Sequence, residues 1–203
     1  MTDMKFWDNI APKYAKSKIS DMEGYNETLE RIQFYLKPEH NVLEIGCGTG
    51  STGLQIADGV ASYLGTDIAP AMIKLANSKL GGSAANMAFT AAPAGEMPDG
   101  DYDVVLGLNL LHVIPDLSEV LNATYDALPS GGLFIAKTAL LRDGNWLIPK
   151  IMPLMQFLGK APSALILSDA QLKAALADAG FELIETLTQT GIVPRIFTVA
   201  RKP

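Results

Sequence analysis

The sequence predicts an α/β fold in which a seven-stranded, mostly parallel sheet carries helices on both faces and ends in an antiparallel hairpin. Short apolar runs rich in β-branched residues alternate with segments of helical periodicity along most of the chain. A glycine cluster, residues 46–50, stands at the first junction of strand and helix. The last two strand-like runs are separated only by turn residues, 189–191, which favours a hairpin at the end of the sheet.

The N-terminal half of the chain changes from helical to strand periodicity. Apolar residues recur at helical spacing until Pro38 ends the pattern, which predicts an N-terminal helical lid. The runs that follow are short and bounded by turn residues, as buried parallel strands are, and Pro70 suits the first position of a helix. The predicted helices are 6–18, 22–36, 51–58 and 70–79, and the predicted strands are 41–45, 62–67 and 87–90.

The C-terminal half continues this alternation. A turn over 129–132 separates a helix from a strand, Ser168 can cap the last helix, and Gly180 can end it. The predicted strands are 102–108, 133–137, 181–188 and 192–200, and the predicted helices are 117–128 and 170–179.

Composition limits the size and the partners of this fold. With 203 residues, 48% of them hydrophobic, we expect a single domain over 1–203, with a helical cap over 1–38. A net charge of −6 disfavours nucleic acid as a partner, because neutralising phosphates requires basic residues. An anionic membrane surface would also repel a protein with this net charge, although a local apolar patch could still touch lipid. We expect a small-molecule partner and either a monomer or a homodimer.

The expected location is the cytoplasm. Cys47 is the single cysteine, so no intramolecular disulfide can form and a reducing compartment fits best. The first residues are acidic and aromatic, unlike a secretory signal. The most apolar late stretch, 147–158, is too short to span a bilayer, so we expect no integral membrane contact.

The glycine cluster predicts a ligand site at the edge of the sheet. Glycines after a strand let the chain turn tightly and let a ligand approach the backbone, and the next helix presents free N–H groups. The glycines recur at every second position, and Ser51 stands where a dinucleotide fingerprint has its third glycine. Asp67 ends the neighbouring strand, where its carboxylate could accept two ribose hydroxyls.

These residues resemble motif I and its companions in the class I S-adenosylmethionine-dependent methyltransferases, a Rossmann-like fold. Within that family, the sequence most resembles small bacterial methyltransferase-domain proteins and the enzymes of ubiquinone and menaquinone biosynthesis. It lies in Val42 to Gly50, Leu64 to Met72, Asp101 to Val105, Asn109 to Val113, Leu128 to Gly132 and Ala179 to Phe181. It covers most of the chain.

The resemblance implies a role for each matching residue. The loop would turn around the methionine part of S-adenosylmethionine, Glu44 would organise that loop or approach the methionine ammonium, and Asp67 would hold the ribose. Ile68 and Met72 would pack on the adenine, and Asn109 and Leu110 would lie near the methionine amine and sulfonium. The loop residues concerned are Gly46, Cys47, Gly48, Thr49 and Gly50, and Cys47 would act through its backbone rather than its thiol.

One departure concerns the adenine amino group. Many relatives place an acid after the third strand, whereas this chain has Ala91, Ala92, Pro93 and Ala94 there. Backbone groups of Ala92, Pro93 and Ala94 could bind adenine, or Glu96 could reach in.

Two residues are candidates for catalysis. His112 follows the fourth strand and could take a proton from the acceptor, or it could be a polar lid residue. Tyr14 could position the acceptor. Trp7 and Tyr14 lie seven residues apart on one helix face and would contact the cofactor or substrate, although the same spacing is typical of core residues.

Residues 139–167 interrupt the pattern with prolines, methionines and Trp146, and we interpret them as an insertion on the substrate side. In one interpretation its apolar residues line a partly apolar substrate pocket; in the other they pack on the core or at a dimer interface. Those residues are Trp146, Ile148, Ile151, Met152, Met155 and Phe157.

The resemblance implies an enzyme that transfers a methyl group to a small molecule by in-line displacement, without a metal. Asn109 to His112 replace the Asn-Pro-Pro-Tyr type of signature found in amino-methylating DNA and protein enzymes, which also favours a small acceptor. A catalytically silent protein that binds S-adenosylmethionine or S-adenosylhomocysteine is the alternative. A nicotinamide oxidoreductase is disfavoured by Ser51.

Overall fold

A computed structural model describes residues 3–81 and 85–203 and contains a seven-stranded sheet. The strand order is β3-β2-β1-β4-β5-β7-β6, parallel except where β7 pairs with β5 and β6. This confirms the predicted parallel sheet and its terminal antiparallel hairpin. The strands are β1 (Asn41–Ile45), β2 (Ser62–Asp67), β3 (Met87–Ala91), β4 (Val104–Leu108), β5 (Leu133–Ala139), β6 (Glu182–Gln189) and β7 (Arg195–Arg201).

Helices cover both faces of the sheet. Two clusters of buried residues divide them: α5 and α7 pack on one face, and α2, α3 and α4 pack on the other. The helices are α1 (Asp3–Lys16), α2 (Met22–Tyr35), α3 (Gly53–Ile56), α4 (Pro70–Asn77), α5 (Leu117–Ala127), α6 (Ile148–Phe157) and α7 (Asp169–Asp178).

Local differences from the predicted elements have local causes. The predicted helix 51–58 is only the four residues of α3, because a 3-10 turn, Ala57–Gly59, follows at once. Such a short helix contributes little dipole to the glycine loop that precedes it. The predicted insertion begins with the last residue of β5 and contains α6. Ser168 caps α7 with a capping box, as its sequence indicates.

No helix in the described ranges 3–81 and 85–203 is long and apolar enough to cross a bilayer.

Strand β1 carries an acid into the core. Glu44 is 2% exposed and accepts a hydrogen bond from the Tyr63 hydroxyl of β2. Burial raises the pKa of Glu44 to about 7, although the Tyr63 hydrogen bond acts in the opposite direction. Below about pH 7, Glu44 is therefore mostly neutral in the folded protein.

Replacing Glu44 by glutamine should alter how stability depends on pH. Because the folded-state pKa is raised, the free energy of unfolding of the wild type falls as pH rises through the interval between the unfolded value and about 7. Glu44→Gln keeps an acceptor for Tyr63 but cannot ionise. In urea titrations, the stability of the wild type relative to Glu44→Gln should fall by about 2–3 kcal/mol between pH 5 and pH 8. A difference that stays constant with pH would contradict this ionisation.

Candidate functional site

The carboxyl ends of β1 to β4 open on a cavity of about 820 Å³, and helix α1 forms its opposite wall. Loops after parallel strands meet at one edge of the sheet, which is where ligands of such folds bind. The cavity therefore lies where the sequence predicts a ligand site.

The backbone conformation of the loop after β1 depends on its glycine residues. Gly46, Gly48 and Gly50 have φ angles of +68°, +55° and +71°, values that other residues adopt only with strain. A Cβ at Gly46 would lie 2.6 Å from Leu110, and one at Gly50 would lie 2.5 Å from Phe89. A Cβ at Gly48 would meet only Tyr14, at 3.8 Å, so this residue opens to the cavity. Gly46 and Gly48 line the cavity, whereas Gly50 packs against the core.

Asp67, at the end of β2, ties two loops together. Its Oδ2 accepts a hydrogen bond from the Gly48 N–H at 2.9 Å, and its Oδ1 accepts one from the Ala69 N–H at 2.9 Å. Burial raises the pKa of Asp67, while these two hydrogen bonds lower it. Each carboxylate oxygen has a second lone pair, so Asp67 can still accept two further hydrogen bonds from a ligand in the cavity.

The loops after β3 and β4 form the sides of the cavity. Ala92, Pro93 and Ala94 line one side, and Asn109 and Leu110 line the other. Ile68 and Met72 also contribute to the lining. Asn109 has a φ of +55°, the only positive value at a non-glycine among the described residues. Its N–H donates to the Lys137 carbonyl of β5 at 2.6 Å, which holds this unusual turn in place.

Helix α1 is fixed over the cavity by its contacts with α4. The Ala71 N–H donates to Asp8 Oδ1 at 2.8 Å, and Ala11 packs into a small buried cluster with α4. Trp7 and Tyr14 both line the cavity, with their rings 6.5 Å apart at an interplanar angle of 89°. Burial raises the pKa of Tyr14, and the nearby charges of Asp67 and Glu44 raise it further. The phenol therefore stays protonated at neutral pH and can donate a hydrogen bond, but it is not a base.

Four predicted site residues of strand β1 and its loop lie outside the lining. Glu44 is buried beside Tyr63, and Gly50 faces the core. The Thr49 carbonyl and Oγ1 accept hydrogen bonds from Lys79 Nζ at 2.7 and 2.9 Å. Cys47 is also buried, and burial raises the pKa of its thiol, so the thiol stays protonated. These residues support the loop from behind.

His112 also lies outside the cavity lining. Its carbonyl accepts a hydrogen bond from the Leu165 N–H at 2.8 Å. Burial and the neighbouring positive charge of Arg195 lower the pKa of His112 to about 4, and its Nδ1 has no hydrogen-bond partner within the described chain. A weak base outside the cavity lining is poorly placed for proton transfer in the cavity, which argues against the predicted catalytic role.

The apolar residues of the insertion do not line the cavity either. Phe157 is 87% exposed and Trp146 is 67% exposed, and no described residue of α6 is buried. These side chains therefore do not form the pocket, and none of them is fully buried in the core, whereas Ile148, Met152 and Met155 are half-buried. The dimer interface stays a prediction.

The cavity lining also contains residues that were not predicted from the sequence. The start of α1 contributes Asp3 and Met4, and the first turn of α5 with the loop before it contributes others. The signal was the placement of α5 directly after β4, which brings its first turn to the same edge of the sheet. The residues added in this way are Val113, Ile114, Pro115, Asp116, Glu119 and Val120.

The described residues contain no group of three or more His, Cys, Asp or Glu side chains that could hold a metal ion.

Comparisons with known proteins agree with this geometry. Residues 43–134 match the model of a family described as methyltransferase domain. The chain is 33% identical over 132 residues, 62% of its length, to the sterol 4-C-methyltransferase strm-1 of Caenorhabditis elegans. It spans 39% of that enzyme's length, and 3% and 6% of two synthases of Emericella nidulans that it also matches.

Solved structures share the fold over more of the chain. An S-adenosylmethionine-dependent methyltransferase from Thermotoga maritima superposes with a TM-score of 0.73 and 19% identity, covering 99% of this chain and all of that one. Phosphoethanolamine N-methyltransferase 2 of Haemonchus contortus, in complex with S-adenosyl-L-methionine, superposes with a TM-score of 0.74 and 17% identity, covering 88% of this chain and 53% of that one. Residues 43–134 are therefore similar to a methyltransferase domain, and the chain shares the fold of solved S-adenosylmethionine-dependent methyltransferases.

Proposed function

We propose that this protein is an enzyme that transfers a methyl group from S-adenosylmethionine to a small molecule. The observation that carries the proposal is the joined wall of Gly48 and Asp67, where an open backbone and a carboxylate with free lone pairs face one cavity. A volume of about 820 Å³ is within the range of small-molecule sites and leaves room for a cofactor and an acceptor.

The residues of this cavity fit the parts of the cofactor. Gly46 and Gly48, without a Cβ, leave space for the methionine part, and Asp67 accepts hydrogen bonds from the ribose hydroxyls. Ile68 and Met72 supply apolar surface for the adenine. The name of the Haemonchus structure, which records bound S-adenosyl-L-methionine, supports this ligand.

Bound S-adenosylmethionine supplies a methyl group already activated by the sulfonium. The chain's task is then to align the acceptor and to exclude water, and α1 with Trp7 covers the cavity for that purpose. Tyr14 positions the acceptor through a hydrogen bond donated by its phenol. No described lining residue is a histidine, lysine or cysteine, so a base supplied by this lining would be one of its carboxylates.

The lining favours a partly apolar acceptor. Part of the cavity lining is apolar, and it includes Met4, Trp7, Val113, Ile114 and Val120. The relative from Caenorhabditis elegans is named for a sterol substrate, which supports an acceptor of this kind. We further propose a cytoplasmic protein, a monomer or a homodimer, that needs no metal and does not bind nucleic acid.

The absence of histidine, lysine and cysteine from the described lining also favours one alternative, a silent protein that binds the cofactor without turnover. Titration with S-adenosylmethionine and S-adenosylhomocysteine, followed by a methyl-transfer screen over partly apolar amines, thiols and carbon acids, separates the two. Transfer to any acceptor supports the enzyme, and tight binding without transfer supports the alternative.

Two substitutions test the cofactor wall by calorimetry with S-adenosylhomocysteine. Asp67→Ala removes the ribose acceptor, and Gly48→Ala places a methyl group in the cavity at a φ of +55°. Each should weaken binding by about 1–3 kcal/mol, or roughly tenfold to a hundredfold. The control is Gly59→Ala, where a Cβ meets nothing within 4 Å. Wild-type affinity in both site variants would refute the assignment.

A carboxylate of α5 takes the place of the acid missing after β3. Glu119 Oε1 lies 3.0 Å from the position of a Cβ at Gly95, so its side chain crosses the turn that follows Ala94. Glu119 lines the cavity, and its carboxylate has no hydrogen-bond or ion-pair partner within ranges 3–81 and 85–203. In this proposal Glu119 accepts a hydrogen bond from the adenine amino group.

Comparing S-adenosylhomocysteine with S-inosylhomocysteine, which has a carbonyl oxygen in place of that amino group, tests this contact. The wild type should prefer the adenine form by about tenfold or more, because a carboxylate repels the carbonyl. Glu119→Gln should lose much of this preference, since an amide can donate to the carbonyl. Glu96→Gln, on the same side of the cavity, is the matched control. Loss of the preference in the control alone would transfer the role to Glu96.

A further inference from the structure

The segment 144–168, here called the apolar segment, differs in charge from the rest of the chain. The whole chain has 22 acidic residues and a net charge of −6, yet none of these acids lies between Asp143 and Asp169. The charged residues of the apolar segment are Lys150 and Lys160. A positive and strongly apolar stretch therefore interrupts an acidic protein.

Helix α6, within this segment, exposes large apolar side chains. Ile148, Met152 and Met155 are half-buried, while Ile151 and Leu154 are 51% and 60% exposed. A contiguous exposed apolar surface is typical of a site that contacts a protein or a membrane. The exposed apolar residues of the segment are Trp146, Leu147, Ile151, Leu154, Phe157 and Leu158.

Aromatic and cationic side chains stand side by side on this surface. Lys150 Nζ lies 4.3 Å from the centre of the Trp146 ring. Tryptophan and lysine next to an exposed apolar helix are typical of segments that lie in a membrane interface, and lysines add attraction to anionic lipid headgroups. With ten residues, α6 can lie along such a surface.

We propose that the apolar segment docks the protein on the surface of an anionic lipid bilayer. Charge complementarity selects this occupant: the apolar segment itself has no carboxylate, and anionic headgroups suit Lys150 and Lys160. A two-fold contact centred on the segment of a second copy would instead bring the same lysines toward one another. The Ser163 N–H of the segment donates to Asp3 Oδ1, and Asp3 lines the cavity, so the docked side adjoins the cavity wall.

Vesicle flotation tests the proposal with the full chain. The wild type should float with vesicles of phosphatidylcholine and phosphatidylglycerol, less with phosphatidylcholine alone, and less at high salt. Phe157→Glu and Ile151→Glu should each weaken binding about tenfold or more, because each removes apolar contact and adds a repelled charge. Phe34→Glu is the matched control, since Phe34 is 70% exposed on α2, and it should float like the wild type.

Thermal melting of each variant verifies the fold, which substitutions at exposed positions should leave intact. The proposal is overturned if the wild type does not float with anionic vesicles, or if Phe157→Glu floats as well as Phe34→Glu. It is also overturned if light scattering shows a dimer that Phe157→Glu dissociates, which would make a second copy the occupant. None of these results depends on cofactor binding, so the methyltransferase proposal is tested separately.

Discussion

The hydrogen bond that the Gly48 N–H donates to the Asp67 carboxylate joins the two loops on which the cavity depends. A residue with a Cβ at position 48 would be strained at its φ of +55° and would enter the cavity. The same carboxylate also receives the Ala69 N–H, which begins the turn into α4. One half-buried acid therefore links the glycine loop to the start of the next helix, and that helix in turn contacts α1.

The features that depend on local sequence, such as strand ends and helix caps, could be predicted from the sequence. β1 is a short apolar run that stops at a glycine, Pro70 begins α4, and Ser168 caps α7. Asp67 could be assigned to the site without a structure because parallel strands place their carboxyl ends at one edge. Asn109 was assigned to it through the family resemblance. The lining contains both.

The parts that depend on side-chain direction are not visible in the sequence. His112 follows Leu110 by two residues, yet of these two residues only Leu110 lines the cavity. Glu119 has no motif around it, and its place becomes apparent only when Gly95 is seen to leave room for it. The insertion was equally ambiguous, since apolar composition suits a pocket, a core or an exposed docking surface alike, and only solvent exposure distinguishes them.

A crystal structure with S-adenosylhomocysteine tests the central claim most directly, because the claim concerns where a nucleoside binds. The account predicts both ribose hydroxyls at about 3 Å from the carboxylate oxygens of Asp67, with the methionine part crossing Gly46 and Gly48. The Gly48 to Asp67 hydrogen bond should be kept in the complex. A nucleoside bound elsewhere, or an Asp67 carboxylate turned away from the ribose, would contradict it.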